Sequence, residues 1–159
     1  MKDEKPIELI KRIHQELEEI YRVLTRANDG WERARRSNDD YYLDGVALNL
    51  HGYYSGFERI FTHIAETVDG DLPHGEDWHL NLLQQMLDEV PGIRPAVISA
   101  EAGEILNELR KFRHIVRNVY THHFDPVRLG KLVKESSGMF VQLKAELLAF
   151  VAFLENGEA

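Results

Sequence analysis

Arg110, Lys111, Arg113, His114, Arg117, Asn118, His122 and His123 crowd into one short stretch of the chain, and their types point to work on a phosphate. A guanidinium holds two phosphate oxygens at once through its planar fork. An imidazole passes a proton near neutral pH. Together they supply a charge clamp and a general acid or base, which is what a ribose 2′-hydroxyl needs to attack its own neighbouring phosphate. Asn118, beside Arg117, can orient an imidazole or donate to a phosphate, and a helix-end hydrogen bond to backbone is an equally good role for it.

The charge around these residues opposes that of the whole. From Arg110 to Lys134 seven basic residues stand against Asp125 alone, about +6, in a chain of 159 residues whose net charge is −8. A local field of the opposite sign marks a site for an anionic partner better than a uniformly basic chain would. The competing explanation is a solvated cationic face whose last turns favour the helix macrodipole.

The elements that must position these groups read as helices. Ile7, Ile10, Ile13, Leu17, Ile20 and Leu24 recur at three- and four-residue steps and predict a first amphipathic helix ending near Asn28-Asp-Gly30. Residues 31–40, with Arg33, Arg35 and Arg36, read as a polar connection. Asp39 or Asp40 can cap a second helix running to about Val68, and a third, shorter one is expected over residues 76–90. Ser99 offers the N-cap of a fourth helix stopping near His123. Asp125-Pro126, a cap followed by proline at the first helical position, opens a fifth helix to about Glu155. No segment shows period-two alternation. The pattern predicts one all-α domain over residues 1–159, an antiparallel up-and-down bundle of about five helices.

On the fourth helix, Ile105, Leu109, Phe112, Val116 and Val119 share one side of a helical wheel. Arg110, His114, Arg117 and Thr121 form a stripe opposite, flanked by Arg113. Burying the apolar side leaves the basic one facing solvent or a partner.

Several chemistries are disfavoured. With no cysteine, thiolate zinc sites, redox pairs and disulfides are excluded. His14 with Glu18 and His63 with Glu66 have helical spacing for a shared metal, but ion pairing or plain helix decoration is the commoner use, and neither a metal nor a cofactor is expected. Glycine-rich phosphate loops and serine nucleophile motifs do not occur. The charged start and the short apolar run from Leu147 to Leu154 predict a cytoplasmic protein without a membrane partner.

Arg117-Asn-Val-Tyr-Thr-His122 resembles the arginine, polar residue, spacer and histidine pattern of the HEPN superfamily. Leu48-Asn-Leu-His-Gly-Tyr-Tyr-Ser-Gly-Phe-Glu-Arg-Ile60, Pro73-His-Gly-Glu-Asp-Trp-His79 with Leu82-Leu83, and Phe112-Arg-His114 are similar to its HepT-like branch, so the likeness spans about residues 5–155. The resemblance implies a toxin of a toxin–antitoxin pair, a metal-independent endoribonuclease and a homodimer in which Arg117 and His122 of two subunits line one cleft. It also implies a cognate nucleotidyltransferase (MNT-type) antitoxin. In that assignment Arg117, His122 and Asn118 are catalytic, and Arg110, Arg113, His114, His123 and Arg128 bind the RNA. The alternatives are an inactive HEPN-like binding module that partners a nucleotidyltransferase or binds nucleotide, and an interaction bundle whose basic helix docks an acidic protein. One departure stands out: HepT toxins carry a tyrosine two residues after the histidine, which the antitoxin modifies with AMP, whereas this chain has Phe124. Tyr120 lies nearby, but its spacing does not make it a substitute.

Overall fold

The computed structural model describes residues 4–118, 120 and 124–157. Among these, helix α1 spans Glu4–Ser37, α2 Tyr42–Ile64, α3 Trp78–Leu87, α4 Ala100–Asn118 and α5 Pro126–Asn156. There is no strand among the described residues; Val90 and Arg94 form an isolated bridge in the turn before α4. The class is an all-α bundle, with α1 and α2 packed along each other and α4 and α5 closing the core around them.

Helix α1 does not stop at Asn28-Asp-Gly30. It runs on to Ser37 because Trp31 and Ala34 continue the apolar stripe and pack on the core, while Arg33 pairs with Asp29 and Arg35 and Arg36 pair with Glu32 one turn back. Gly30 costs helix propensity but lets Val46 of α2 approach, and a Cβ there would meet the Val46 Cγ2 at 3.1 Å. The stripe buries Leu9, Ile13, Leu17, Ile20, Leu24 and Ala27, and Ile7 is left exposed at its start.

Helix α2 loosens into a π-helical turn at Ala65–Asp69 that ends on left-handed Gly70. From that turn Asp69 reaches Arg94, whose side chain is fully buried. The Arg94 Nε and Nη2 donate to the two Asp69 carboxylate oxygens at 2.6 and 2.8 Å, and its remaining N–H groups go to the carbonyls of Gln85, Asp88 and Pro95. One guanidinium thus ties the end of α2, the end of α3 and the loop before α4 into a fixed arrangement.

Helix α4 begins where expected. The Ser99 hydroxyl accepts from the Ala102 N–H at 3.3 Å and donates to Glu146 of α5 at 2.8 Å. Helix α5 opens as read, with Asp125 accepting from the Val127 N–H at 3.0 Å and Pro126 in the first turn. By length and composition α5 is also apolar enough to cross a bilayer. Here its apolar face, including Leu132, Leu143, Leu147 and Phe150, lies in the bundle core.

Candidate functional site

Three helices build the site, each by its own periodicity. His51, Tyr54 and Glu58 stand at three- and four-residue steps on α2 and so share one face. Arg110, Arg113, His114 and Arg117 do the same on α4, and His79 comes from the first turn of α3. The core-facing side of α4 buries Ala102, Gly103, Leu106, Leu109 and Phe112, which aims the basic side across the mouth between α2 and α3. The result is a cavity of about 410 Å³ lined by His79, Arg110, Arg113, His114, Arg117 and Asn118. Among the described residues no carboxylate lines it.

The charges in this cavity lack the ion pairs that many arginines elsewhere make. Arg12, Arg22, Arg33, Arg35, Arg36 and Arg59 each have a carboxylate within 4 Å, whereas among the described residues no acid pairs with Arg110, Arg113 or Arg117. The Arg110 Nε donates to Asn107 at 3.0 Å, and this neutral partner leaves its charge in place. The arginine charges are felt behind the cavity. His51 has its pKa lowered from 6.5, first by burial and then by Arg113 and Arg117, and its buried Nδ1 has no hydrogen-bond partner.

Below the arginines lies a polar cluster. Glu58 Oε2 accepts from the Tyr54 hydroxyl at 2.6 Å and sits 2.6 Å from the His79 Nδ1. Burial, reinforced by the Glu58 charge and its hydrogen bond, pushes the Tyr54 hydroxyl pKa well above its ordinary value, so it stays a donor. The Trp78 ring lies 3.6 Å, centroid to centroid, from that of His79. Glu58 therefore answers His79 and Tyr54.

The site residues read from the sequence divide by place. Arg110, Arg113, His114, Arg117 and Asn118 come together in the cavity, with Arg110 and Arg113 half-buried and the others exposed. The Asn118 amide donates to the His114 carbonyl at 2.7 Å and lies 3.2 Å from the His114 Nδ1, which fixes the end of the helix. Arg128 does not line the cavity; its guanidinium carbon lies 5.9 Å from the centre of the Phe112 ring. His122 and His123 lie outside the described residues. Phe124 is 8% exposed, and its ring packs 6.2 Å from that of Phe112, so this position serves the core.

Sequence reasoning gave His79 no role in the site. The available signal was Glu76-Asp-Trp-His79, whose Glu-x-x-His spacing is that of bundle metal motifs. In the structure Glu76 is exposed in the turn before α3, and Glu58 is the carboxylate at His79. Among the described residues no three His, Asp or Glu side chains gather closely enough to hold a metal ion.

The bundle thus gathers three guanidiniums and two imidazoles at one mouth with, among the described residues, no acid paired to the guanidiniums. The sequence model of the HepT-like protein family matches residues 45–154, from α2 to the end of α5, and the chain belongs to that family, within the HEPN superfamily. No curated protein and no solved structure matches the chain significantly.

Proposed function

We propose that this protein is the toxin of a toxin–antitoxin pair, a cytoplasmic, metal-independent endoribonuclease that works as a homodimer and is held in check by a nucleotidyltransferase antitoxin. The single observation that supports this most is the cavity itself: Arg110, Arg113 and Arg117 converge with His79 and His114 and without a lining acid, an arrangement that favours a polyanion threaded past imidazoles. In this reading the His122 imidazole takes the proton of the 2′-hydroxyl, and Arg117 stabilises the charge that builds on the phosphorane. Asn118 holds the helix end that presents Arg117. Arg110, Arg113, His114 and His123 follow the RNA backbone.

The test is cleavage of RNA by the purified full-length chain in EDTA. The expected products carry cyclic phosphate and 5′-hydroxyl ends, and Arg117→Ala and His122→Ala should each lose at least about 10²-fold in rate. Wild-type cutting by both variants rejects the assignment.

Phe124 favours a second reading. A core phenyl ring in place of the modifiable tyrosine fits a HEPN-like binding module that partners a nucleotidyltransferase, or binds nucleotide, without cutting. Expression alone in a bacterial host separates the two, since a toxin arrests growth and a module does not.

A further inference from the structure

His79 sits in the cavity wall under conditions that go beyond packing. A carboxylate can only accept, so the 2.6 Å contact between Glu58 Oε2 and the His79 Nδ1 puts a proton on Nδ1. That leaves Nε2 as the ring nitrogen free to exchange protons, and among the described residues it has no protein partner. Glu58 is itself oriented by the Tyr54 hydroxyl, and the Trp78 ring lies against that of His79 at a 31° tilt, so the hydrogen bond at Nδ1 fixes the tautomer and the neighbouring ring limits how the imidazole turns. The side chains of His79 and Glu58 are only 19% and 13% exposed, and His79 nevertheless lines the same cavity as Arg113 and Arg117.

We infer that His79, held by Glu58, is the acid of the site: its Nε2 delivers a proton to the 5′-oxygen that leaves when the RNA chain is cut. The inference rests on the ribonuclease reading and deepens it. In the step, the 2′-oxygen forms a bond to phosphorus as His122 takes its proton. The bond from phosphorus to the 5′-oxygen breaks, and the leaving oxygen takes the Nε2 proton of the His79 imidazolium, which is left neutral with its Nδ1 proton hydrogen-bonded to Glu58. The products are a 2′,3′-cyclic phosphate and a 5′-hydroxyl, and exchange with water returns both imidazoles to their starting states. Glu58 is a positioning residue in this scheme, because it acts on the substrate only through the imidazole.

The test compares two substrates at the mapped cleavage position, in EDTA and under single-turnover conditions with the full-length chain. One is ordinary RNA; the other carries sulfur in place of the bridging 5′-oxygen, and thiolate leaves without needing a proton. His79→Gln should cut ordinary RNA about 10²–10⁴-fold more slowly than wild type and the sulfur substrate within about tenfold of it. Glu58→Gln should show the same rescue from a smaller loss, and His122→Ala should be slow on both. Equal slowing of His79→Gln on both substrates, or its cutting ordinary RNA at the wild-type rate while Arg117→Ala is inactive, overturns this inference and leaves the ribonuclease reading standing. A wild-type chain that cuts neither substrate overturns both. Loss of the helical circular dichroism signal in both the His79 and Glu58 variants assigns the pair to folding and overturns the inference alone.

Discussion

Removing one guanidinium from the cavity should change how steeply RNA binding depends on salt, and the size of the change follows from the charges counted there. Arg110, Arg113 and Arg117 line the cavity without a carboxylate, so each is available to displace one counterion from a bound strand. For single strands the logarithm of affinity falls by about 0.7 per neutralised phosphate for each tenfold rise in salt, which gives a slope of about −2.1 for three contacts. Between 50 and 200 mM salt that is about an 18-fold loss of affinity for wild type, against about sevenfold for Arg113→Ala with two contacts left. The assay is fluorescence polarisation of a labelled 2′-O-methyl oligonucleotide, which lacks the attacking hydroxyl and stays intact. Arg33→Ala is the control, because Arg33 is already paired with Asp29 at 3.0 Å and should leave the slope unchanged. An Arg113→Ala slope equal to wild type, or a slope that shifts equally in the Arg33 variant, refutes the argument from unpaired charge.

Three further outcomes follow from buried groups. Replacing Arg94 with Ala strands the Asp69 carboxylate, 4% exposed, without its bidentate partner, and should cost about 3–5 kcal/mol in urea unfolding; a loss under 1 kcal/mol would show that the tie is not structural. His51 has its pKa lowered from 6.5 in the folded chain, so below that pH the unfolded chain binds a proton that the folded one resists. Its contribution to stability is therefore complete above pH 6.5 and is lost as the pH falls below it, and His51→Gln should flatten the difference in urea midpoint between pH 7.5 and 5.5. Inorganic phosphate in the cavity should offset the Arg113 and Arg117 charges and raise the His51 pKa in an NMR titration, though only in part, because burial is the larger cause. An unmoved resonance would place the anion elsewhere.

Helix identity was legible in the sequence wherever an apolar period and a cap agreed. Ser99 and Asp125-Pro126 marked the starts of α4 and α5 because their side chains or ring make the first-turn contacts locally. The end of α1 was not legible. Gly30 reads as a breaker in isolation, and the reasons it is not one, Val46 across the interface and the acid–base pairs around Glu32, lie partly in another helix. The basic side of α4 was readable from one helix alone, which is why Arg110, Arg113, His114, Arg117 and Asn118 were found together. Glu58 and His79 are 21 residues apart and meet only after α3 folds back onto α2, so no spacing rule joins them. Arg128 shared the local charge excess but was drawn to the Phe112 ring, a destination set by the turn into α5.

The pairing of α1 with α2 has a kinetic consequence. These helices are neighbours in sequence, and α1 at 34 residues is about 51 Å long, so much of the core forms through a single short connection. Contacts of that kind close early, and the hairpin is the natural folding nucleus. The cavity depends on α3 and α4 docking afterwards. Substitutions at Gly30, or at Gly56 where a Cβ would run into Ile20 of α1, should then slow refolding, whereas those at Arg94 should chiefly hasten unfolding. The basic cavity would be assembled last and opened first.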